Sequence, residues 1–233
     1  MEMATQILIA EDDPDINRLL GRILEKEGYQ VTSAFSGSEA RLLLKTVRFD
    51  LIVLDLMLPG ATGEELVEEI RKNSTTPILV VSAKGQEDKL NVLKMGADDF
   101  ISKPFDVNEV AVRVYSLLRR SRNFSENGGE KQTLSLKNLE IDLESREVRV
   151  SGKPLTLTAR EYDILVLLMR YPNKVFTRQN IFETVWGGAY LGDDNTINVH
   201  ISNLRSKIQK LDDKEEYIST IWGVGFKAAK PRE

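Results

Sequence analysis

Cysteine is absent from the 233 residues, and histidine occurs once. Disulfides and thiolate chemistry are thereby excluded, which suits a reducing compartment and points to a cytoplasmic protein. No apolar run reaches the roughly 18–20 residues that a membrane span requires. The opening "MEMATQ" has no basic stretch followed by a long apolar core, so no secretory signal is expected. A strong basic excess is also missing. The formal net charge is −4. Residues 1–120 hold 15 Lys+Arg against 20 Asp+Glu, and residues 121–233 hold 17 against 16. Neither half announces a nucleic-acid partner by charge alone. Internal repeats and low-complexity tracts are lacking.

What is present is an ordinary globular composition, 41% apolar and 29% charged, with enough length for two domains. From residue 5 to about 120, β-rich runs alternate with helical segments. "QILIA" (6–10), "YQVTSA" (29–34), "DLIVLD" (50–55), "PILVVS" (77–82) and "DDFISK" (98–103) read as strands. Their apolar middles suit strands covered on both faces. The alternation predicts an α/β, doubly wound, five-stranded parallel sheet. The polar "SRNFSENGGEKQ" (121–132) reads as a linker. Residues 133–233 then change pattern. Short alternating strands at 134–157 precede helices at 159–170, 178–185 and 196–211, and two β-like runs close the segment at 217–229.

In an open parallel sheet, ligands bind beyond the carboxyl ends of the strands. The first strand is followed by Glu11, Asp12 and Asp13, the third ends in Asp55, the fourth in Ser82 and the fifth in Lys103. These groups converge on one rim although they are far apart in sequence. Clustered carboxylates repel unless a hard cation such as Mg²⁺ lies among them. Carboxylates, a cation, an ammonium and a hydroxyl are the parts that stabilise a transferring phosphoryl group, and a carboxylate can itself accept it. Asp13, just before Pro14, suits the cap of the first helix. A dinucleotide module is disfavoured because "EDDP" stands where a glycine-rich phosphate loop would be. An aspartate-nucleophile phosphatase is disfavoured because Met57 stands where a second acid would be wanted.

"AEDDP" (10–14), "DLIVLDLMLPG" (50–60), "VSA" (81–83) and "DDFISKPF" (98–105) together resemble the receiver domain of bacterial response regulators, over all of 1–120. The resemblance implies a flavodoxin-like fold with Asp55 as phospho-acceptor. It implies Glu11 and Asp12 as the acidic pair, with Asp12, Asp55 and the Met57 carbonyl on Mg²⁺. Ser82 and Lys103 would contact the phosphoryl oxygens, Phe100 would be the aromatic switch partner of Ser82, and the Lys103–Pro104 bond would be cis. It further implies a symmetric dimer on activation, through Lys89, Asp98, Asp99, Glu109, Arg113 and Arg120, with pairs such as Lys89–Glu109 and Asp99–Arg113 crossing it. A solvated surface is the alternative for those charges.

In the helical segment 196–211, Ile197, Ile201, Leu204, Ile208 and Leu211 form one apolar stripe. The opposite face carries Asn198, Val199, Ser202, Asn203, Ser206 and Lys210, flanked by Arg205. Such a face suits a DNA major groove, where Asn reads adenine and Val touches a thymine methyl. "TAREYDILVLLMRYPNKVFTRQNIFETVW", "NTINVHISNLRSKI" and "YISTIWGVGF" resemble the winged helix-turn-helix effector of OmpR/PhoB-type regulators, an α+β fold. That resemblance implies phosphate contacts from Trp186, Thr196, His200 and Arg205, base contacts from Val199 and Asn203, and a wing containing Thr220 and Phe226. Many relatives carry Arg where Asn195 and Trp222 stand. Trp222 therefore either belongs to the core or meets DNA without a charge, and binding is expected to depend less on salt. The whole implies a cytoplasmic transcription regulator rather than an enzyme. Its partners would be a sensor histidine kinase, repeated promoter sites on double-stranded DNA and RNA polymerase, with no membrane.

Overall fold

The computed structural model describes residues 4–119, 133–188, 190 and 194–229. The chain divides into two compact units, Met1–Leu118 and Arg119–Glu233. The expected linker 121–132 and Arg120 lie outside the described residues.

The first unit alternates strand and helix throughout: β1 (Gln6–Ala10), α1 (Pro14–Lys26), β2 (Gln30–Ala34), α2 (Gly37–Thr46), β3 (Leu51–Leu54), α3 (Gly63–Asn73), β4 (Ile78–Ser82), α4 (Gln86–Met95), β5 (Asp99–Ser102) and α5 (Val107–Arg119). The five strands are parallel, in the order β2-β1-β3-β4-β5. β3 and β4 are wholly buried, as the apolar runs Leu51–Leu54 and 78–81 require, and the polar Ser82 that ends β4 is buried with them. One core joins Ile7 and Ile9 of β1 and Leu51 and Val53 of β3 to Leu20 and Leu24 of α1 and Val110 and Val114 of α5.

Local chemistry sets the helix starts. Asp13 caps α1, accepting hydrogen bonds from the Asp15 and Ile16 amides at 2.8 and 3.0 Å, with Pro14 in the first turn. Thr62 and Glu65 form a reciprocal capping box on α3. Gly63 is required by space: a Cβ there would lie 2.4 Å from the Asp55 carbonyl oxygen. Its absence lets α3 start directly beneath the end of β3.

The second unit opens with an antiparallel four-stranded sheet, β6 (Thr133–Leu136), β7 (Leu139–Asp142), β8 (Val148–Val150) and β9 (Lys153–Pro154). Then come α6 (Ala159–Arg170), β10 (Phe176–Thr177), α7 (Arg178–Trp186), α8 (Asp194–Gln209), β11 (Ile218–Ile221) and β12 (Gly225–Ala228). The last two strands form a hairpin that pairs with β10. A single core gathers residues from both sheets and all three helices, including Ile164, Leu165, Phe182, Trp186, Ile197, Ile201 and Leu204. Among the described residues, no helix is long and apolar enough to cross a membrane.

Candidate functional site

The strand order reverses between β1 and β3, and the polar rim lies at their carboxyl ends. Ligand atoms of Glu11, Asp12 and Asp55 all fall within 4.8 Å of one another. Glu11 and Asp55 are buried, while Asp12 is exposed. Lys103 joins the two buried acids, with its Nζ 2.8 and 2.7 Å from the Glu11 oxygens and 2.5 Å from Asp55 Oδ2. Ser82, fully buried, donates to Asp55 Oδ1 at 2.7 Å. The Met57 amide donates to the same oxygen at 3.1 Å. Backbone bonds hold the parts in register: Asp55 N–H to the Ala10 carbonyl, and Lys103 N–H to the Ser82 carbonyl, each at 2.9 Å. The peptide before Pro104 is cis, as expected.

The two buried carboxyls differ. Burial pushes Glu11 above its usual range, and Lys103 only partly offsets this. Burial acts on Asp55 too, but hydrogen bonds from Lys103, Met57 and Ser82 outweigh it and hold its carboxyl below the usual range. Burial disfavours the Lys103 ammonium, yet Asp55 and Glu11 together raise its pKa. Asp55 is therefore a carboxylate at neutral pH. The donor set is three carboxylates, hard oxygen ligands that fit Mg²⁺ and offer nothing to a soft metal.

Beside this site, Phe100 is buried, with Lys89 Nζ 5.9 Å from its ring centroid. Arg113 is held within its own chain, 3.1 Å from Asp99 and 3.0 Å from Glu109. Asp98 requires a correction. It was expected on a surface used for pairing, but it is 0% exposed. Its Oδ2 accepts from Arg71 Nη2 at 2.7 Å and from the Ile78 amide at 2.9 Å. Arg71 also donates to the Gly96 and Thr76 carbonyls, each at 2.7 Å. Asp98 is a strut between α3 and the edge of the sheet. Nothing in the local sequence "GADDF" separates its role from that of Asp99. The Lys84–Glu64 ion pair, at 2.5 Å, joins the loop after β4 to the start of α3 and has no short-range sequence signature either.

In the second unit, several expected DNA contacts are also corrected. Trp186, Thr196 and His200 are closed off from solvent, and Val199 is 7% exposed. Trp186 stacks on Phe182 with ring centroids 5.2 Å apart, lies 5.4 Å from the His200 ring, and is overlain by the buried Arg160 guanidinium at 4.5 Å. Phosphate contacts are therefore not open to the Trp186, Thr196 and His200 side chains, nor a broad base contact to Val199. The cause is that α8 packs against both α6 and α7. A helix covered on two sides buries a wider arc than a one-sided amphipathic stripe. Asn203 and Thr220 are half-buried.

The outward arc of α8 runs instead through Asn195, Asn198, Ser202, Arg205, Ser206 and Gln209. A recess of about 470 Å³ borders Asn198, Ser202, Arg205 and Arg178, along with Thr220 and Phe226 of the hairpin. Arg178 donates to Asn198 Oδ1 at 3.0 Å. Arg205 grips the hairpin, at 2.7 Å to the Ile218 carbonyl and 2.8 Å to Thr220 Oγ1. Trp222 is not core: at 90% exposed it caps the hairpin tip.

With the geometry in place, comparison with known proteins gives a consistent result. Residues 7–115 match the family "Response regulator receiver domain", and residues 152–228 match "Transcriptional regulatory protein, C terminal". Together they define a receiver joined to a DNA-binding effector. Relatives match over nearly the whole chain. The Bacillus subtilis transcriptional regulatory protein ResD is 38% identical over 228 residues, 96% of this chain and 95% of its own. An uncharacterised B. subtilis transcriptional regulatory protein, YcbL, is 39% identical over 222 residues, 94% of this chain and 98% of its own. Staphylococcus aureus SrrA is 36% identical over 230 residues, 97% and 95% of the two chains. A solved cysteine variant of RitR superposes with TM-score 0.78 at 27% identity, covering 98% of this chain and 100% of that one. DrrB, an OmpR/PhoB homologue from Thermotoga maritima, gives 0.51 at 27% identity, covering 97% and 99%. The chain belongs to the OmpR/PhoB-type two-component response regulators, and it is a transcriptional regulator with a receiver and a DNA-binding domain.

Proposed function

We propose that Asp55 accepts a phosphoryl group from a sensor histidine kinase, and that the modified protein pairs with a second copy to bind repeated promoter sites. The observation that carries this reading is the convergence of Lys103 and Ser82 on the two oxygens of a buried, ionised Asp55. One Asp55 oxygen attacks the phosphorus of phosphohistidine. The P–O bond forms as the P–N bond breaks, and the bonding pair leaves with the imidazole nitrogen, which takes up a proton. The product is an acyl phosphate. Glu11, Asp12, Asp55 and the Met57 carbonyl would hold Mg²⁺, which supplies neutralising charge to the phosphoryl oxygens when bound. Lys103 adds a fixed ammonium to the same oxygens, and the Ser82 hydroxyl donates to one of them.

Phosphorylation adds about −1.5 to −2 charges and three acceptor oxygens. Ser82 and Lys103 turn toward them, and the Phe100 ring follows the space that Ser82 leaves. The pairing face is built from α4, β5 and α5, where Lys89, Glu109 and Arg113 supply charge, Asp99 lies buried behind Arg113, and Val112 exposes apolar surface. In the second unit, Asn198, Ser202 and Asn203 read bases, and Arg178 and Arg205 meet phosphates, before RNA polymerase is engaged in the cytoplasm. Incubation with radiolabelled acetyl phosphate and Mg²⁺ should label the protein, and Asp55→Asn should abolish labelling. Label persisting on that variant would place the acceptor elsewhere.

A further inference from the structure

At the end of the receiver opposite the rim, α2, α3 and the start of β3 border a recess of about 810 Å³. That lies within the size range of small-molecule sites, roughly 300–1,000 Å³. Its floor is apolar. Phe49, Ile52, Leu66 and Ile70 are all buried, and Leu44 is half-buried beside them. The phosphoryl chemistry proposed for Asp55 uses none of these residues.

Its walls are charged, and unequally. Four cations, Arg41, Lys45, Arg48 and Lys72, line it against two acids, Asp50 and Glu69. Both acids are occupied. Arg41 holds Glu69 with two hydrogen bonds, at 2.8 and 2.7 Å, and so ties α2 to α3. That grip is the main reason Glu69 titrates below the usual carboxyl range, and Lys72 and Lys45 add to it at longer range. Asp50 accepts from the Gln6 amide at 2.8 Å. Among the described residues, no hydrogen bond or ion pair engages the side chains of Lys45, Arg48 and Lys72, and all three are exposed. Lys45 and Lys72 lie in the last turns of α2 and α3, where a cation suits the helix dipole. That accounts for each singly. It does not account for their gathering with Arg48, which lies outside any helix, around one apolar floor.

We propose that this recess binds a small organic anion with an apolar body, such as a medium-chain or aromatic carboxylate. The anionic head lies among Lys45, Arg48 and Lys72, and the body covers Phe49, Ile52, Leu66 and Ile70. Charge complementarity selects this occupant. The walls carry two more cations than acids, and the three unengaged charges are all positive. The Arg48 guanidinium can take a carboxylate in two parallel hydrogen bonds. An inorganic anion leaves the apolar floor uncovered. A neutral or cationic ligand leaves the three charges without a partner.

Octanoate is the probe, titrated into the full chain labelled with nitrogen-15 while amide shifts are followed by NMR. Saturable shifts are expected at residues 47–50 and 73–76, which border the recess. Octanoate should bind about fifteenfold more tightly than hexanoate, since each of the two added methylenes contributes about fourfold on burial. Octylammonium and inorganic phosphate should leave those amides unmoved. Lys45→Ala, Arg48→Ala and Lys72→Ala alter exposed side chains and leave the fold intact. Each should weaken octanoate binding about threefold, and the triple variant about thirtyfold. Shifts confined to other residues, or no saturable shift at all, overturn the proposal. Equal affinity for octanoate and octylammonium overturns it too, because the cations then play no part. Phosphate binding as tightly as octanoate reveals a bare anion patch and overturns it. Shifts at the same amides that grow with protein concentration alone assign the recess to a second copy of the chain, and overturn it as well.

Discussion

The receiver rim and the outward face of α8 were both expected from sequence to be contact surfaces, yet they differ in kind. At the rim every expected side chain arrives: Glu11, Asp55, Ser82 and Lys103 are joined by hydrogen bonds, and an Asp12 carboxylate oxygen lies within 4.8 Å of those of Glu11 and Asp55. On α8 the helix forms, but the contact residues are displaced around it, with Thr196, Val199 and His200 turned into the core. The rim tolerates little ambiguity because a strand end can be only above or below the sheet. A helix presents a continuous circle, and one residue of phase error turns a side chain by 100°.

The comparison is broken most forcefully at the buried polar residues that do not belong to the rim. Arg71→Ala would take the guanidinium from the buried Asp98 carboxylate, which keeps its hydrogen bond from the Ile78 amide, and would free the Gly96, Ser74 and Thr76 carbonyls. A loss of about 3–5 kcal/mol is expected in urea unfolding of the receiver. An unchanged midpoint would return Asp98 to the surface role first expected of it. Trp186→Ala should cost the second unit about 3–4 kcal/mol by leaving a cavity between α6, α7 and α8. If it removes DNA binding while thermal unfolding is unaltered, Trp186 is a contact residue after all.

A smaller effect sharpens the rim itself. Mg²⁺ at about a hundred times its dissociation constant should stabilise the receiver by about 2.7 kcal/mol, and Asp12→Asn should remove most of that gain. Equal gains in both proteins would show that the ion binds elsewhere.

The smallest effect is one of pH, in the second unit. Burial and the Asp212 carboxylate, 2.7 Å away, raise Tyr217 from 10.0 to about 12. The folded state thus keeps a proton that the unfolded chain releases. The resulting stability is fully present below pH 10 and is lost as pH rises toward 12. Tyrosinate absorbance should show a late-titrating ring, and Asp212→Asn should bring it earlier.

The fold was legible because its signals are short-range. Strand runs at 51–54 and 78–81 are apolar throughout, and caps such as Asp13 and Thr62 announce their helices. The rim was legible because topology alone brings strand ends together. What stayed hidden needs knowledge of what covers each surface. Asp98 and Asp99 are adjacent and chemically identical, but one faces Arg71 and the other Arg113. Val199 suits a groove and His200 a phosphate contact or packing by chemistry alone, and it is the packing of α6 and α7 on α8 that buries both. Trp222 stood between core and solvent in the sequence, and only the Ile221–Val224 turn decides it.

The intramolecular tie of Arg113 to Asp99 and Glu109 has its own consequence. A second copy reaching for that guanidinium finds it already satisfied, so trading one carboxylate for its symmetry mate changes the electrostatic energy little. In the pairing proposed above, the decisive gain would then fall to the uncharged surface at Val112, and moderate salt should leave that self-association nearly intact.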